Sequence, residues 1–196
     1  MSIDQEDPRM KKEVDLAVEH LRKGNVILYP TDTIWGIGCD ATNEAAVEKI
    51  YRIKKRMESK SLIVLLADPD QLTNYVEKVP VIAYDLISSI SKPTTIIYPN
   101  AVNLARNVVA DDNTIAIRIT SYEFCRAMVR EFGKPVVSTS ANMSGELPPL
   151  AFSKISKEIL ESVDYVVDFH RDVVNETKPS TIIKIDERGN FNIIRE

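Results

Sequence analysis

Residues 114–142 read TIAIRITSYEFCRAMVREFGKPVVSTSAN, and this stretch decides the fold. In 114–119 the residues Thr114, Ala116 and Arg118 alternate with Ile115, Ile117 and Ile119, the period of a strand with one polar and one apolar face. Thr120 and Glu123 then have capping-box spacing and predict a helix that ends at Gly133 and Pro135. Val136 and Val137 predict a second strand, leading into the polar loop Ser138-Thr139-Ser140-Ala141-Asn142. A strand, a helix and a strand in succession are the repeating unit of an α/β fold.

The same alternation extends both ways. Residues 9–23 predict an amphipathic helix, with Val14, Ala17, Val18 and Leu21 at spacings of three and four and Gly24 as its C-terminal glycine. Residues 26–29 predict a short buried strand, closed by Pro30 and followed by a hydroxyl-rich loop, 30–36. A helix from Asn43 to Lys55 presents Ala46, Val47, Ile50 and Ile53 on one face, with Asn43 as N-cap. Residues 62–66 are apolar without alternation, as in a strand buried on both faces. Helical patterns near 69–76 and 80–90 precede strands at 94–98 and 114–119. A helix over 153–162, strands at 165–167, 180–185 and 191–195, and a hairpin turn at 186–190 complete the chain. The expected architecture is one domain over 1–196, a twisted mixed β-sheet with flanking helices; 143–152 reads as a mobile surface loop.

Composition narrows the function classes. The 196 residues are 44% hydrophobic and 28% charged, which excludes disorder, collagen and coiled coil as the main state. A net charge of -4 argues against a protein that only coats nucleic acid, while leaving room for a local basic patch. Cys39 and Cys125 form neither CxxC nor zinc spacing, and two histidines, His20 and His170, cannot build a His-rich metal site; no metal ligand is expected among the side chains. The polar start and the lack of a long apolar run predict a soluble, cytoplasmic chain with no membrane partner. GxxxxGK[ST], HExxH and GxSxG are absent, and Gly36 and Gly38 give GxG without a third glycine. Any chemistry therefore rests on positioning and charge stabilisation more than on a covalent protein nucleophile.

Four polar segments could supply these. Thr31-Asp32-Thr33 follows a strand and can bind a small polar ligand or simply make a capped turn. Arg52, Lys54, Lys55, Arg56 and Lys60 stand at a helix end, as a phosphate clamp or as cations solvated beside the helix dipole. Thr114 and Arg118 share a strand face, lining a pocket in which Arg118 clamps a carboxylate, or facing water. Ser138 to Asn142 lies at the C-terminal end of a strand, where ligands of α/β sheets bind, or is a plain loop.

These segments in this order, with Tyr29 to Gly36, Lys54-Lys55-Arg56 and Pro179 to Ile183, resemble the YrdC-like family of threonylcarbamoyl-AMP synthases from about Val14 to Arg195. That family's Lys-x-Arg plus Ser-x-Asn signature falls on Lys54, Arg56, Ser140 and Asn142. The resemblance implies that L-threonine and bicarbonate form a carbamate, which attacks the α-phosphorus of ATP, releases pyrophosphate and gives threonylcarbamoyl-AMP for modification of tRNA adenosine 37. It implies threonine binding by Thr33, Arg118, Ser138 and Ser180, and ATP binding by Arg56, Lys60, Thr114, Ser140 and Arg195, with Lys54 and Asn142 near the phosphates and bicarbonate. Mg2+ accompanies the triphosphate, held mostly by phosphate oxygens and water. The implied partners are the downstream tRNA threonylcarbamoyl-transfer machinery and a possible contact with tRNA or double-stranded RNA.

The sequence departs from the family in carrying Trp35 for Tyr, Arg56-Met57 and Lys60-Ser61-Leu62 for Arg-Pro and Asn-Pro-Leu, no histidine near Leu65, and Ser91-Lys92-Pro93 for Trp-Pro-Gly. Two competing readings share the residues. One is an RNA-binding or ribosome-associated module whose 52–60 cations track phosphates, with a steep salt dependence. The other is a carbamoyl-phosphate or acyl-adenylate activity on another amino acid.

Overall fold

A computed structural model describes residues 7–55, 62–174 and 180–195. The first helix, α1 (Pro8–Arg22), starts where Asp7 accepts the Arg9 N–H at 2.9 Å and Pro8 occupies the first turn. It buries Met10, Val14, Ala17, Val18 and Leu21, and the chain then turns through Gly24 at φ +71. Strands β1 (Ile27–Tyr29) and β2 (Gly36–Gly38) pair antiparallel. Helix α2 (Glu44–Lys54) is capped by Asn43, whose side chain accepts the Ala46 N–H at 3.2 Å. Next come β3 (Ile63–Leu66), α3 (Val81–Ser89), β4 (Thr94–Tyr98), β5 (Ile115–Ile119), α4 (Glu123–Phe132) and β6 (Val136–Ser140). The chain closes with α5 (Lys157–Ser162), β7 (Tyr165–Val166), β8 (Thr181–Ile185) and β9 (Phe191–Arg195).

The strands form one mixed sheet in the order β7-β1-β2-β6-β3-β5-β4-β8-β9. The pairs β1–β7, β3–β5 and β4–β8 are parallel and the other five antiparallel. Alternation along each strand sends successive side chains to opposite faces. One face presents Val64, Leu66, Ile96, Ile115, Ile117 and Val137 to a core with Val47 and Ile50 of α2, Ala83 of α3 and Ile159 of α5. The opposite face presents Ile27, Tyr29, Leu65 and Val136 to Val14, Val18 and Leu21 of α1 and to Phe124, Met128 and Val129 of α4. Each such side chain contributes roughly 1.5–3 kcal/mol when fully buried. On this second face, further along the same strands and their neighbour β5, Ile63, Ala116 and Ser138 line a cavity instead. The two helices thus set the position of the cavity by covering only part of the face.

The mixed sheet with flanking helices is as expected, and several local readings change. Strand β2 falls at the end of the expected 30–36 loop and beyond it, although glycine disfavours strands. It forms because Gly38 has no side chain: a Cβ there would stand 2.2 Å from the Val137 carbonyl oxygen and 2.7 Å from the Tyr29 ring. The Tyr29 hydroxyl crosses this gap and donates to the Val137 carbonyl at 3.1 Å, so the GxG is a packing device. The 69–76 pattern is a 3-10 turn, Pro69–Asn74. The expected capping box is absent: Thr120, just past β5, still donates its N–H to the Leu66 carbonyl of β3 at 3.0 Å, and α4 starts at Glu123 behind Tyr122. Strand β6 runs through Ser140, so three residues of the expected polar loop are strand residues. The 153–162 helix splits into a 3-10 turn, Phe152–Lys154, and α5, because Ser156 turns its side chain to cap Ile159 N–H at 3.4 Å.

Candidate functional site

The loop between β1 and β2 is folded by its own hydroxyls. Thr31 Oγ1 donates to the Ile34 carbonyl at 2.6 Å and accepts the Thr33 N–H at 3.1 Å, a side-chain turn that fixes Asp32 and Thr33 between them. Arg118, on β5, comes from the next layer of sequence to meet this loop. Its Nη1 donates to Thr33 Oγ1 at 3.4 Å and its Nη2 lies 3.2 Å from Asp32 Oδ1. Arg118 is 4% exposed, and its Nε has no hydrogen-bond partner among the described residues. A guanidinium so far out of water needs a counter-charge, which Asp32 supplies.

The far wall is built by β8 and β9. Ser180 precedes β8, and its hydroxyl lies 2.9 Å from Thr95 Oγ1 on β4. Arg195, opposite Ile182 in the β8–β9 ladder, turns back to donate to the Ser180 carbonyl through Nη2 at 2.7 Å and Nε at 3.2 Å. Ser138 stands opposite Ile63, and Ser140 opposite Gly36. Between these walls lies a cavity of about 300 Å³.

Thr33, Arg118, Ser138, Ser140, Ser180 and Arg195 all line it, over an apolar floor of Ile63, Ile97, Ala116 and Ile182. Among the described residues two arginines and no carboxylate line the cavity, so it suits an anionic group set in hydroxyl donors. Of the segment read as a ligand-binding loop or a capped turn, Thr31 and Thr33 line the cavity, while Asp32 pairs with Arg118. Trp35 also lines the cavity, 1% exposed, with its ring 4.9 Å from that of Phe152.

Other expected site residues stand elsewhere. Thr114 precedes β5, its hydroxyl donates to Asp112 Oδ1 at 2.6 Å on an exposed turn, and it does not line the cavity. Lys54 is 2% exposed and Asn142 8%, and neither lines the cavity. The signal for Lys54 was in the sequence: with Val47 and Ile50 it falls at spacings of three and four, on the buried stripe of α2. Arg56 and Lys60, and with them Pro179, lie outside the described residues. Leu65 is fully buried beneath α1 and α4 and is not a cavity residue.

The described part of the basic run is committed to protein partners: Arg52 pairs with Glu48, and Lys55 Nζ lies 2.9 Å from Glu158. That arrangement does not favour phosphate tracking along α2. Burial pushes the Cys39 and Cys125 thiols well above their ordinary range, so neither is a ready thiolate nucleophile. Among the described residues, no three His, Cys, Asp or Glu side chains group closely enough to hold a metal ion, and no helix is long and apolar enough to cross a membrane.

Comparison with known proteins accords with this geometry. The Sua5/YciO/YrdC family model, described as telomere recombination, matches residues 19–196. The threonylcarbamoyl-AMP synthase of Pseudoalteromonas translucida (strain TAC 125) is 38% identical over 169 residues, 85% of this chain and 89% of that protein. That of Idiomarina loihiensis is 36% identical over 149 residues, 74% of this chain and 80% of that protein. Among solved structures, E. coli YciO superimposes with a TM-score of 0.82 at 26% identity, covering 97% of this chain and 91% of that one. P. abyssi Sua5 complexed with L-threonine gives a TM-score of 0.82 at 24% identity over 93% of this chain, a likeness of fold; this chain spans 53% of that longer one. The chain belongs to the Sua5/YciO/YrdC family.

Proposed function

We propose that this chain is a threonylcarbamoyl-AMP synthase, a nucleotidyltransferase that uses L-threonine, bicarbonate and ATP. One observation carries the reading: Thr33, Arg118, Ser138 and Ser180 share a single cavity with Ser140 and Arg195. The relatives named threonylcarbamoyl-AMP synthase, and the P. abyssi Sua5 complexed with L-threonine, support it.

On this reading Arg118 clamps the threonine carboxylate, with Thr33, Ser138 and Ser180 as hydroxyl partners. The threonine amine adds to the carbon of bicarbonate and water leaves, giving a carbamate. A carbamate oxygen attacks the α-phosphorus, the bond to the β-phosphate oxygen breaks, and pyrophosphate leaves. No protein nucleophile is needed; fixed donors and cations stabilise the charge that builds on phosphorus. Ser140 and Arg195 serve that end, with Arg56 and Lys60 assigned there by resemblance. Mg2+ would come with the triphosphate, held mostly by phosphate oxygens and water, and would offset part of its charge. The mixed anhydride hydrolyses readily, so a cavity set against the sheet protects it from water. On this reading its consumer is the tRNA threonylcarbamoyl-transfer machinery, and the chain acts in the cytoplasm.

The test is pyrophosphate release from ATP and bicarbonate with threonine, serine or glycine. Release that requires threonine and bicarbonate together supports the reading. ATP turnover indifferent to both overturns it.

A further inference from the structure

Lys54 belongs to the family signature yet stands outside the cavity, closing the last turn of α2 at 2% exposure. An ammonium held out of water costs several kcal/mol unless its hydrogens are accepted. This one donates to the carbonyl oxygens of Ser140 and, at 2.7 Å, of Asn142. The Lys54 carbonyl in return accepts the Ser144 N–H at 3.0 Å.

The place of this clasp matters. Among the described residues, strand β3 pairs with β6 as far as Ile63–Ser138, two residues short of Ser140. Ser140 is still paired with Gly36 of β2 on one edge, and Lys54 adds a support at its carbonyl. Asn142 braces the turn that follows, its amide donating to the carbonyls of Met143 at 2.9 Å and Glu146 at 2.8 Å. Of Lys54, Ser140 and Asn142, only Ser140 reaches the cavity.

We propose that Lys54 is a positioning residue that acts through Ser140: it holds the main chain on which the Ser140 hydroxyl is aimed, and its charge does not ride on the triphosphate. The proposal rests on the synthase reading for its kinetic consequence, and on the clasp alone for its geometry.

A lysine that works through Ser140 and one that binds phosphate itself differ in coupling. Lys54→Met and Lys54→Gln are compared alone and with Ser140→Ala, by threonine-dependent pyrophosphate release, with folding checked by circular dichroism. Lys54→Met is expected to lower kcat about 50-fold and leave KM for threonine within threefold. Lys54→Gln, which keeps two hydrogens to donate but no charge, recovers at least fivefold of that. Each double variant stays within twofold of Ser140→Ala alone. Losses that multiply in the double variants, or a Gln variant no better than Met, overturn the proposal.

Should neither variant fold, the wild-type chain decides through the ε-nitrogen NMR signal of Lys54. A slowly exchanging ammonium that is unmoved by ATP is expected; rapid exchange, or a large shift on adding ATP, overturns the clasp. A wild-type chain that releases no pyrophosphate counts against the synthase reading instead, and the nitrogen signal still judges the clasp.

Discussion

Arg118 Nη2 lies 3.2 Å from Asp32 Oδ1, and the two side chains are 5% and 16% exposed. Withdrawing one charge from such a pair leaves the other uncompensated in a dry setting, at about 3–5 kcal/mol. Asp32→Asn keeps the shape and removes the charge, so it is expected to lower the unfolding free energy by about 3 kcal/mol, read from urea midpoints. Arg118→Lys keeps a charge but loses the fork, and should weaken threonine at least tenfold. Trp35 is the single tryptophan and lines the cavity, so its emission reports that titration. A stable Asp32→Asn chain would show that the pair does not hold Arg118.

Two glycines of one short strand make a matched pair of tests. At Gly38 a methyl group would meet the Val137 carbonyl oxygen at 2.2 Å, and backbone cannot give way cheaply. At Gly36 the nearest atoms stand at 3.4 Å. Gly38→Ala is expected to lose about 3 kcal/mol or more, and Gly36→Ala to fold normally. Equal urea midpoints for the two variants contradict the packing of Tyr29 against β2.

Asp68 ties β3 to α4. Arg130 holds it at 2.8 and 2.7 Å and Arg126 at 2.9 Å, and these bonds hold its carboxyl well below the ordinary range, Arg130 contributing most. A carboxylate with a depressed folded pKa stabilises the fold above its unfolded pKa of about 3.9 and loses that effect as pH falls toward the folded value. Asp68→Asn should therefore melt about 2–4 °C lower than wild type at pH 7, with the gap narrowing below pH 4. A gap that is constant from pH 7 to pH 2 contradicts the linkage.

The chain after Ser140 offers a fourth test. Leu147 is 90% exposed, while its neighbour Pro148 lines the cavity. Ligand in the cavity is expected to press on Pro148 and shield the 143–152 loop, lowering chymotrypsin cleavage after Leu150, which is 52% exposed, at least threefold when threonine and ATP are both present. Cleavage at the same rate with and without them removes the loop from the binding event.

Much of the fold was legible because alternation and helical spacing are local signals. The isoleucines of 115–119 do face a core and Arg118 does face the cavity, as the period-2 pattern requires. The pairing of Thr33 with Arg118, and of Ser180 with Arg195, was not legible, since registry between distant strands depends on sheet order. The capture of the Thr114 hydroxyl by Asp112 was not legible, since Thr114 fits the alternation yet stands one residue before the strand itself. For Lys54, charge suggested a phosphate clamp or a solvated helix end, while its place on the apolar stripe of α2 decided burial. Strand β2 escaped notice because Gly-Ile-Gly carries no strand propensity and owes its pairing to the Tyr29 ring.

The central claim is that threonine on the Arg118 side and the nucleotide on the Ser140 and Arg195 side occupy one cavity and are joined there through a carbon taken from bicarbonate. Mass analysis of the adduct formed from ATP, threonine and ¹³C-bicarbonate measures that joining directly. The account predicts one AMP, one threonine and one ¹³C in a single product, lost together when Ser140 is replaced by alanine. An adenylate of threonine without ¹³C, or ADP in place of AMP, contradicts it.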